Sequence, residues 1–243
     1  MYDYRGLQDV IFIVLYCVAA FFAVLAAVYL LWRRGNAFAD DVWSSRVLRR
    51  WTAALMAAIV ASHVWWYVIG IYWLADDWLV RTITVIMLDH VTLVPLVMAL
   101  LLAMLQDRRR PLWPWLVAQS PVVVLAVVGI ICRDWYLGYE LAHLCQLTVV
   151  VAFVVYYIVA LRQYGRWLLD NYADLERKEV WQSMMFVLAL LVVYELYTTN
   201  AGEMAKEYLS QVITLVIIAF LVWRVETLQE LETENNENEI IYR

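Results

Sequence analysis

The chain has 243 residues, of which 65% are hydrophobic and 17% are charged, and its net charge is −5. Soluble domains are about 45–50% apolar, so this composition indicates a membrane protein. The negative net charge argues against nucleic-acid binding by the chain itself. The three cysteines, Cys17, Cys132 and Cys145, are odd in number and lie in or beside apolar runs, which favours neither a disulfide framework nor a cysteine metal site.

Seven apolar runs are long enough to cross a bilayer, which takes about 20 helical residues. They lie at 9–32, 51–74, 82–105, 115–132, 137–161, 181–200 and 209–225. The first has no basic flank of the kind that signal peptides carry, so we expect it to remain as a spanning helix. Pro95, inside the third run, predicts a kink. The sequence therefore predicts an all-α, seven-helix transmembrane domain over residues 1–225, followed by an acidic tail at 226–243.

Basic residues divide unequally between the two sides of these predicted spans. With the N-terminus outside, the outer side holds only Arg5, Arg81, Arg133 and Lys206 of the 18 lysines and arginines. All the others fall in cytosolic loops or in the tail. Because basic residues are retained on the cytosolic side, this asymmetry predicts an outer N-terminus and a cytosolic C-terminus.

Several polar and titratable side chains lie inside the apolar runs, where an uncompensated charge costs several kcal/mol. They share helical faces near the predicted outer ends of the spans, which predicts a polar pocket in the outer half of the bundle. The candidate ligand-binding residues are Asp89, His90, His63, Tyr67, Tyr139, Glu140, His143, Gln146, Glu195 and Gln211.

Each candidate also has a purely structural interpretation. Asp89 and His90 can hold helices together through hydrogen bonds, Glu140 can be solvated at the headgroup level, and a lone histidine such as His63 is often satisfied in a core. Adjacent residues on a helix point about 100° apart, so we expect the partner of Asp89 on another helix, at His143 or His63.

Two other classes of function remain open. Three histidines with nearby carboxylates allow a metal site at His90, His143 and Glu140, as in a metal-dependent membrane hydrolase. The usual helical pair of histidines four residues apart is absent, and the last span has no histidine. Intramembrane carboxylates and imidazoles would also suit a proton-coupled transporter, although no internal repeat is visible. No catalytic residue and no cofactor is predicted.

The connection at 162–180 has the pattern of an amphipathic helix at the inner surface. Its charged face carries acidic and basic residues in balance, which suits contact with protein better than contact with anionic lipid. We therefore expect Tyr172, Arg177 and Lys178 to couple the bundle to a cytosolic partner.

Two stretches together resemble a known family. One is Leu88-Asp89 followed by Pro95 and by the basic run 108–110, and the other is DNYADLERKEVW at 170–181. They are similar to the seven-helix membrane sensor module of Bacteroidetes-type regulators, and the resemblance covers most of the chain. In that family the module precedes a cytosolic AraC-type helix-turn-helix domain or, in relatives, a signalling kinase.

The resemblance implies a membrane sensor, and we expect it to be a multi-pass protein of the bacterial inner membrane that binds an unknown small molecule and works as a homodimer. It also implies an output domain after a tail such as 226–243, and we expect this chain to be the sensor part alone, because it contains no helix-turn-helix.

The predicted orientation can be tested by labelling in intact cells. A cysteine introduced next to Asp77 or Met204 should react with a membrane-impermeant maleimide, and one next to Arg109 should not. Each of the three single cysteines is introduced into a chain whose own cysteines have been replaced. Labelling in the opposite sense would overturn the orientation and, with it, the sensor interpretation.

Overall fold

A computed structural model of the chain describes residues 7–33, 45–74, 76–171, 182, 184–187, 189 and 203–228. In these ranges all regular secondary structure is helical. Most of the sixth predicted span lies outside the described residues, as do Tyr172, Arg177 and Lys178 and the tail after residue 228.

Seven α-helices and two π-helical turns have described bounds, and residues 182, 184–187 and 189 are helical as well. Helices α1 (Leu7–Trp32) and α2 (Arg46–Tyr67) come first, and α2 runs on into the π-helical turn Val68–Trp73. Helices α3 (Trp78–Ala103), α4 (Trp113–Ala118) and α5 (Ser120–Cys132) follow. The π-helical turn Tyr136–Leu141 then leads into α6 (Ala142–Asn171), and α7 spans Glu203–Thr227.

Local sequence signals explain where several helices begin and end. The Asp77 side chain accepts a hydrogen bond from the Val80 N–H at 3.3 Å and so caps α3. Proline lies in the first turn of both α4 and α5, where its missing N–H costs no hydrogen bond. Helix α5 ends at Arg133, whose φ of 53° is left-handed. Asp134 accepts from the Tyr136 N–H at 2.9 Å and starts the next helix.

Five helical segments are long and apolar enough to cross a membrane: Val10–Trp32, Trp78–Ala103, Trp113–Cys132, Tyr136–Asn171 and Tyr208–Thr227. Their apolar side chains are widely exposed, as lipid contact requires. The prediction of an all-α membrane protein is confirmed. Helix α2 is not among the five, because arginines occupy its first turn and Ser62, His63 and two tryptophans its last two turns.

The helices pack in one continuous bundle. Helix α2 contacts α1 and α3, α1 also contacts α7, and α5 lies between α3 and α6. The main apolar core lies towards the end where α1, α3, α6 and α7 finish, and includes Leu30, Leu48, Met104, Leu168 and Leu221. We call this the arginine-rich end, since most of the described arginines lie there, and we call the opposite end the arginine-poor end.

Arg49 joins three helices at the arginine-rich end. Its Nη1 lies 2.8 Å from Glu226 Oε1, and both side chains are almost fully buried. The guanidinium also donates to the backbone carbonyls of Leu30 at 3.4 Å and Arg33 at 2.7 Å. These carbonyls are at the C-terminus of α1, where a cation is favoured. Glu226, which the sequence pattern places in the tail, lies in the last turn of α7 in the structure.

The Arg49–Glu226 pair should be costly to break from one side. Glu226→Gln leaves a buried guanidinium without its counter-charge, so we expect the free energy of unfolding to fall by about 3–5 kcal/mol. Denaturant titration in detergent measures this loss. The double variant Arg49→Met with Glu226→Leu should recover most of that loss. Arg133→Gln removes the exposed 2.8 Å pair with Asp77 and serves as the control, with an expected effect below about 1 kcal/mol. Equal losses in the free energy of unfolding for Glu226→Gln and Arg133→Gln would contradict this prediction.

Candidate functional site

Within the described ranges, all the hydrogen bonds to the Asp89 carboxylate come from side chains of α2. Ser62 Oγ and Trp65 Nε1 donate to its Oδ1 at 2.7 Å and 3.0 Å, and Trp66 Nε1 donates to Oδ2 at 2.8 Å. Three donors compensate a carboxylate that has left water, and they fasten α3 to α2. The sequence predicts His143 or His63 as the partner of Asp89, but neither histidine is hydrogen-bonded to its carboxylate in the structure.

The three donors to Asp89 were missed by the sequence analysis, although a signal was present. Ser62, Trp65 and Trp66 recur at helical spacing on one face of α2. Tryptophan is common at membrane interfaces, so its presence near a helix end does not by itself indicate a buried donor. An indole N–H seeks an acceptor when it is buried, so two tryptophans beside a serine on one helical face indicate an acceptor on the facing helix.

His63 faces the other side of α2, towards α1 and α7. Its Nδ1 lies 2.8 Å from the Ile59 carbonyl, and its Nε2 lies 3.0 Å from the side-chain amide of Gln211. The Tyr16 ring packs 4.4 Å from the imidazole, and Tyr16 Oη donates to the His63 carbonyl at 2.6 Å. His63 is thus a buried, bonded histidine that connects α2 to α7, and it lies apart from the other two histidines.

His90 and His143 meet across the interface between α3 and α6. Their ring centroids are 6.4 Å apart. Tyr139 stacks on His143 at 5.9 Å, Trp135 stacks on Tyr139 at 4.4 Å, and Trp78 stacks on Trp135 at 4.6 Å. This aromatic ladder leads from the arginine-poor end of the bundle to the histidine pair.

The two histidines line a small pocket with Tyr139. The remaining lining residues are mostly apolar: Ile83, Ile86, Met87, Val122, Ala126, Gly138 and Ala142. The pocket has room for about one water molecule. The structure thus brings together three of the predicted site residues, in a pocket suited to a very small ligand.

A backbone contact between two glycines brings α5 against the turn that carries Tyr139. A Cβ built on Gly129 of α5 would lie 2.2 Å from the Cα of Gly138, and one built on Gly138 would lie 2.5 Å from Ile83 Cδ1. Only glycine permits this approach. Gly138 belongs to the π-helical turn Tyr136–Leu141, a distortion common at functional sites, which sets the position of Tyr139 beside the pocket.

The other predicted site residues lie elsewhere. Glu140 is exposed and accepts a 3.3 Å hydrogen bond from Trp135 Nε1, and Tyr67 is 52% exposed on α2. Gln146 is fully buried, and neither atom of its amide has a hydrogen-bond partner in the described part of the chain. Gln211 bonds His63. Glu195 lies outside the described residues.

The positions of His90, His143 and Glu140 do not support the metal site that the sequence left open. Over the described ranges, no group of three or more histidine, cysteine, aspartate or glutamate side chains is placed to hold a metal ion. Glu140, the third ligand considered from the sequence, points to Trp135 while His90 and His143 share the pocket. The histidine pair would therefore need a ligand of another type.

The contacts of Asp89 can be checked by double-mutant cycles on the free energy of unfolding. Asp89→Asn turns an amide N–H₂ towards an indole donor, so it should cost about 1–3 kcal/mol. Combined with Trp66→Phe it should show a coupling above about 0.5 kcal/mol, whereas combined with His143→Gln it should be additive. Coupling to His143 that exceeds coupling to Trp66 would refute the observed pairing.

Comparison with known proteins adds no assignment. No protein-family model, no curated protein and no solved structure matches this chain.

Proposed function

We propose that this chain is a seven-helix membrane sensor of the bacterial inner membrane, with the N-terminus outside and the C-terminus in the cytosol. It binds a very small ligand in the pocket of His90, Tyr139 and His143. It then passes a conformational change to a cytosolic transcription-regulator or kinase output, acting as a homodimer. The observation that carries the proposal is a continuous set of polar contacts between α3, beside the pocket, and the end of α7.

The polar contacts run through α2. Asp89, next to the pocket residue His90, is held by Trp65 and Trp66 on one face of α2. His63 on another face of α2 bonds Gln211 of α7. At the other end of α2, Arg49 bonds Glu226 of α7. Helix α7 is therefore fixed to α2 at two levels, and a movement of α3 at the pocket can reach the end of α7 through one rigid helix.

The proposed mechanism is a shift between two packings. A ligand that contacts both α3 and α6 favours the packing in which those contacts are best. The three hydrogen bonds at Asp89 make α2 follow α3, and the ion pair with Glu226 makes the C-terminal end of α7 follow α2. Residues 229–243 continue from that end of α7, so a displacement of it is available to a cytosolic partner.

A proton-coupled transporter has weaker support. A relay would need the intramembrane carboxylate and imidazoles to face one another. In the structure Asp89 faces α2 while its neighbour His90 faces α6. Direct transfer between them is therefore not favoured by this packing. Proton flux into liposomes containing the purified chain would restore that hypothesis.

The sensor proposal can be tested at the end far from the pocket. Spin labels on Leu169→Cys and Trp223→Cys, both on exposed side chains at the arginine-rich end, report the distance between α6 and α7. We expect His90→Leu and His143→Leu to move this distance distribution by about 1–2 Å, the size of helix shifts in switching proteins. The labelled cysteines are introduced into a chain whose three native cysteines have been replaced. Samples with a single label measure the contribution from distances between two copies of the chain.

A matched control separates coupling from general perturbation. Val124→Leu alters a lipid-facing side chain of α5 that is 59% exposed, and it should leave the distribution unchanged. If the two pocket variants also leave it unchanged while the chain stays folded, the pocket does not communicate with α7 and the sensor proposal is overturned.

A further inference from the structure

The pocket between α3 and α6 presents soft, uncharged donor groups. Met87 and His90 are three residues apart on α3 and so lie on one helical face. Both line the same pocket as His143. Thioether sulfur and imidazole nitrogen together are typical ligands of Cu(I), and the thioether discriminates against hard cations.

The separation of the two histidines suits a shared metal ion. A metal–nitrogen bond of about 2.0–2.1 Å, with roughly 1.2 Å more to the ring centre, places two imidazoles on one ion about 5.2–6.6 Å apart between centroids. The observed separation is 6.4 Å. The upper limit corresponds to nearly linear N–metal–N geometry, which Cu(I) accepts and Zn²⁺ does not. With Met87 as a third ligand, the N–metal–N angle would be nearer to about 120° and the ring centres about 5.6 Å apart, so the two rings would need to approach each other by about 0.8 Å.

The surroundings of His90 also fit a metal ligand. The backbone carbonyl of Ile86 lies one helical turn before His90 and within reach of its ring. A ring nitrogen that donates to such a carbonyl carries the proton, which leaves the lone pair on the other nitrogen. Metal-binding histidines usually have such a partner, because it fixes both the tautomer and the orientation of the ring.

Charge and space favour a monovalent ion over a divalent one. The residues that line the pocket include no carboxylate, and most are apolar. The cost of moving an ion from water into such surroundings rises with the square of its charge, so a divalent cation with only neutral ligands is strongly disfavoured. Room for about one water molecule is enough for an ion and too little for an organic molecule.

We propose that Met87, His90 and His143 form a Cu(I) site, with Tyr139 covering one imidazole by stacking. The inference deepens the proposed sensor function by naming its ligand, and in that respect it rests on that function. Binding involves no change of oxidation state, since copper enters as Cu(I) and its ligands stay neutral.

The site can be tested with the full chain in nanodiscs, its three cysteines replaced by alanine because thiolates also bind copper. Competition with a chromogenic Cu(I) chelator under anaerobic, reducing conditions should give one Cu(I) per chain. Copper X-ray absorption should show nitrogen and sulfur neighbours. Ag(I), which has the same charge and softness and does not change oxidation state, should displace the copper, and excess Zn²⁺ should not.

Variants assign the ligands. His90→Gln and His143→Gln should each weaken Cu(I) binding by about 100-fold or more, since loss of even a second-shell partner costs 10–100-fold. Met87→Leu preserves side-chain volume and should fold normally. It should weaken binding by at least about tenfold and remove the sulfur signal. Met98→Leu changes the same residue type outside the pocket and should leave binding unaltered.

The outcomes separate the two proposals. Absence of stoichiometric Cu(I), binding that survives His90→Gln, or equal displacement by Zn²⁺ would overturn the copper site. Copper that binds as described but leaves the distance between the Leu169 and Trp223 labels unchanged would keep the site and overturn the sensor. If the distance responds to the pocket substitutions but the chain binds no copper, the sensor proposal stands and the copper site is overturned.

Discussion

The organisation of this bundle depends on how α2 satisfies the polar groups of its neighbours. A charge or hydrogen-bonding group in an apolar environment must find partners within the protein, because water is not available there. Helix α2 supplies three such contacts to two neighbours: Trp66 to Asp89 of α3, and His63 to Gln211 and Arg49 to Glu226 of α7. The least apolar of the long helices is consequently the one that orients the others.

The two ends of the bundle differ in what stabilises them. Large apolar side chains and the Arg49–Glu226 pair pack tightly at the arginine-rich end. At the arginine-poor end, the stacked rings from Trp78 to His143 and the glycine contact of α5 leave a pocket. A fully buried Gln146 without a bonded amide in the described chain lies one turn beyond His143. Unsatisfied polarity and π-helical distortion are features that proteins tolerate chiefly where function requires them.

This contrast gives the proposed sensor a physical basis. A site that switches must be able to change its packing at low cost, and regions with few buried apolar contacts do so most easily. The end that reports the switch must instead move as one body. The pocket of His90 and His143 has the first property, and the buried ion pair that fixes α2 to α7 gives the second. A soft monovalent ion bridging α3 and α6 would act directly on the looser end.

The sequence by itself determined the helical membrane class and nearly all of the described helices, because hydrophobic runs of this length have few other solutions. It also identified the polar residues that matter, since such residues inside apolar runs are costly. Only the tertiary structure decided how they pair. Adjacent residues of one helix point to different neighbours, so Asp89 and His90 separate into an interhelical bond and a pocket. The role of Glu226 likewise depends on where α7 ends against α2, and nothing in its local sequence encodes that contact.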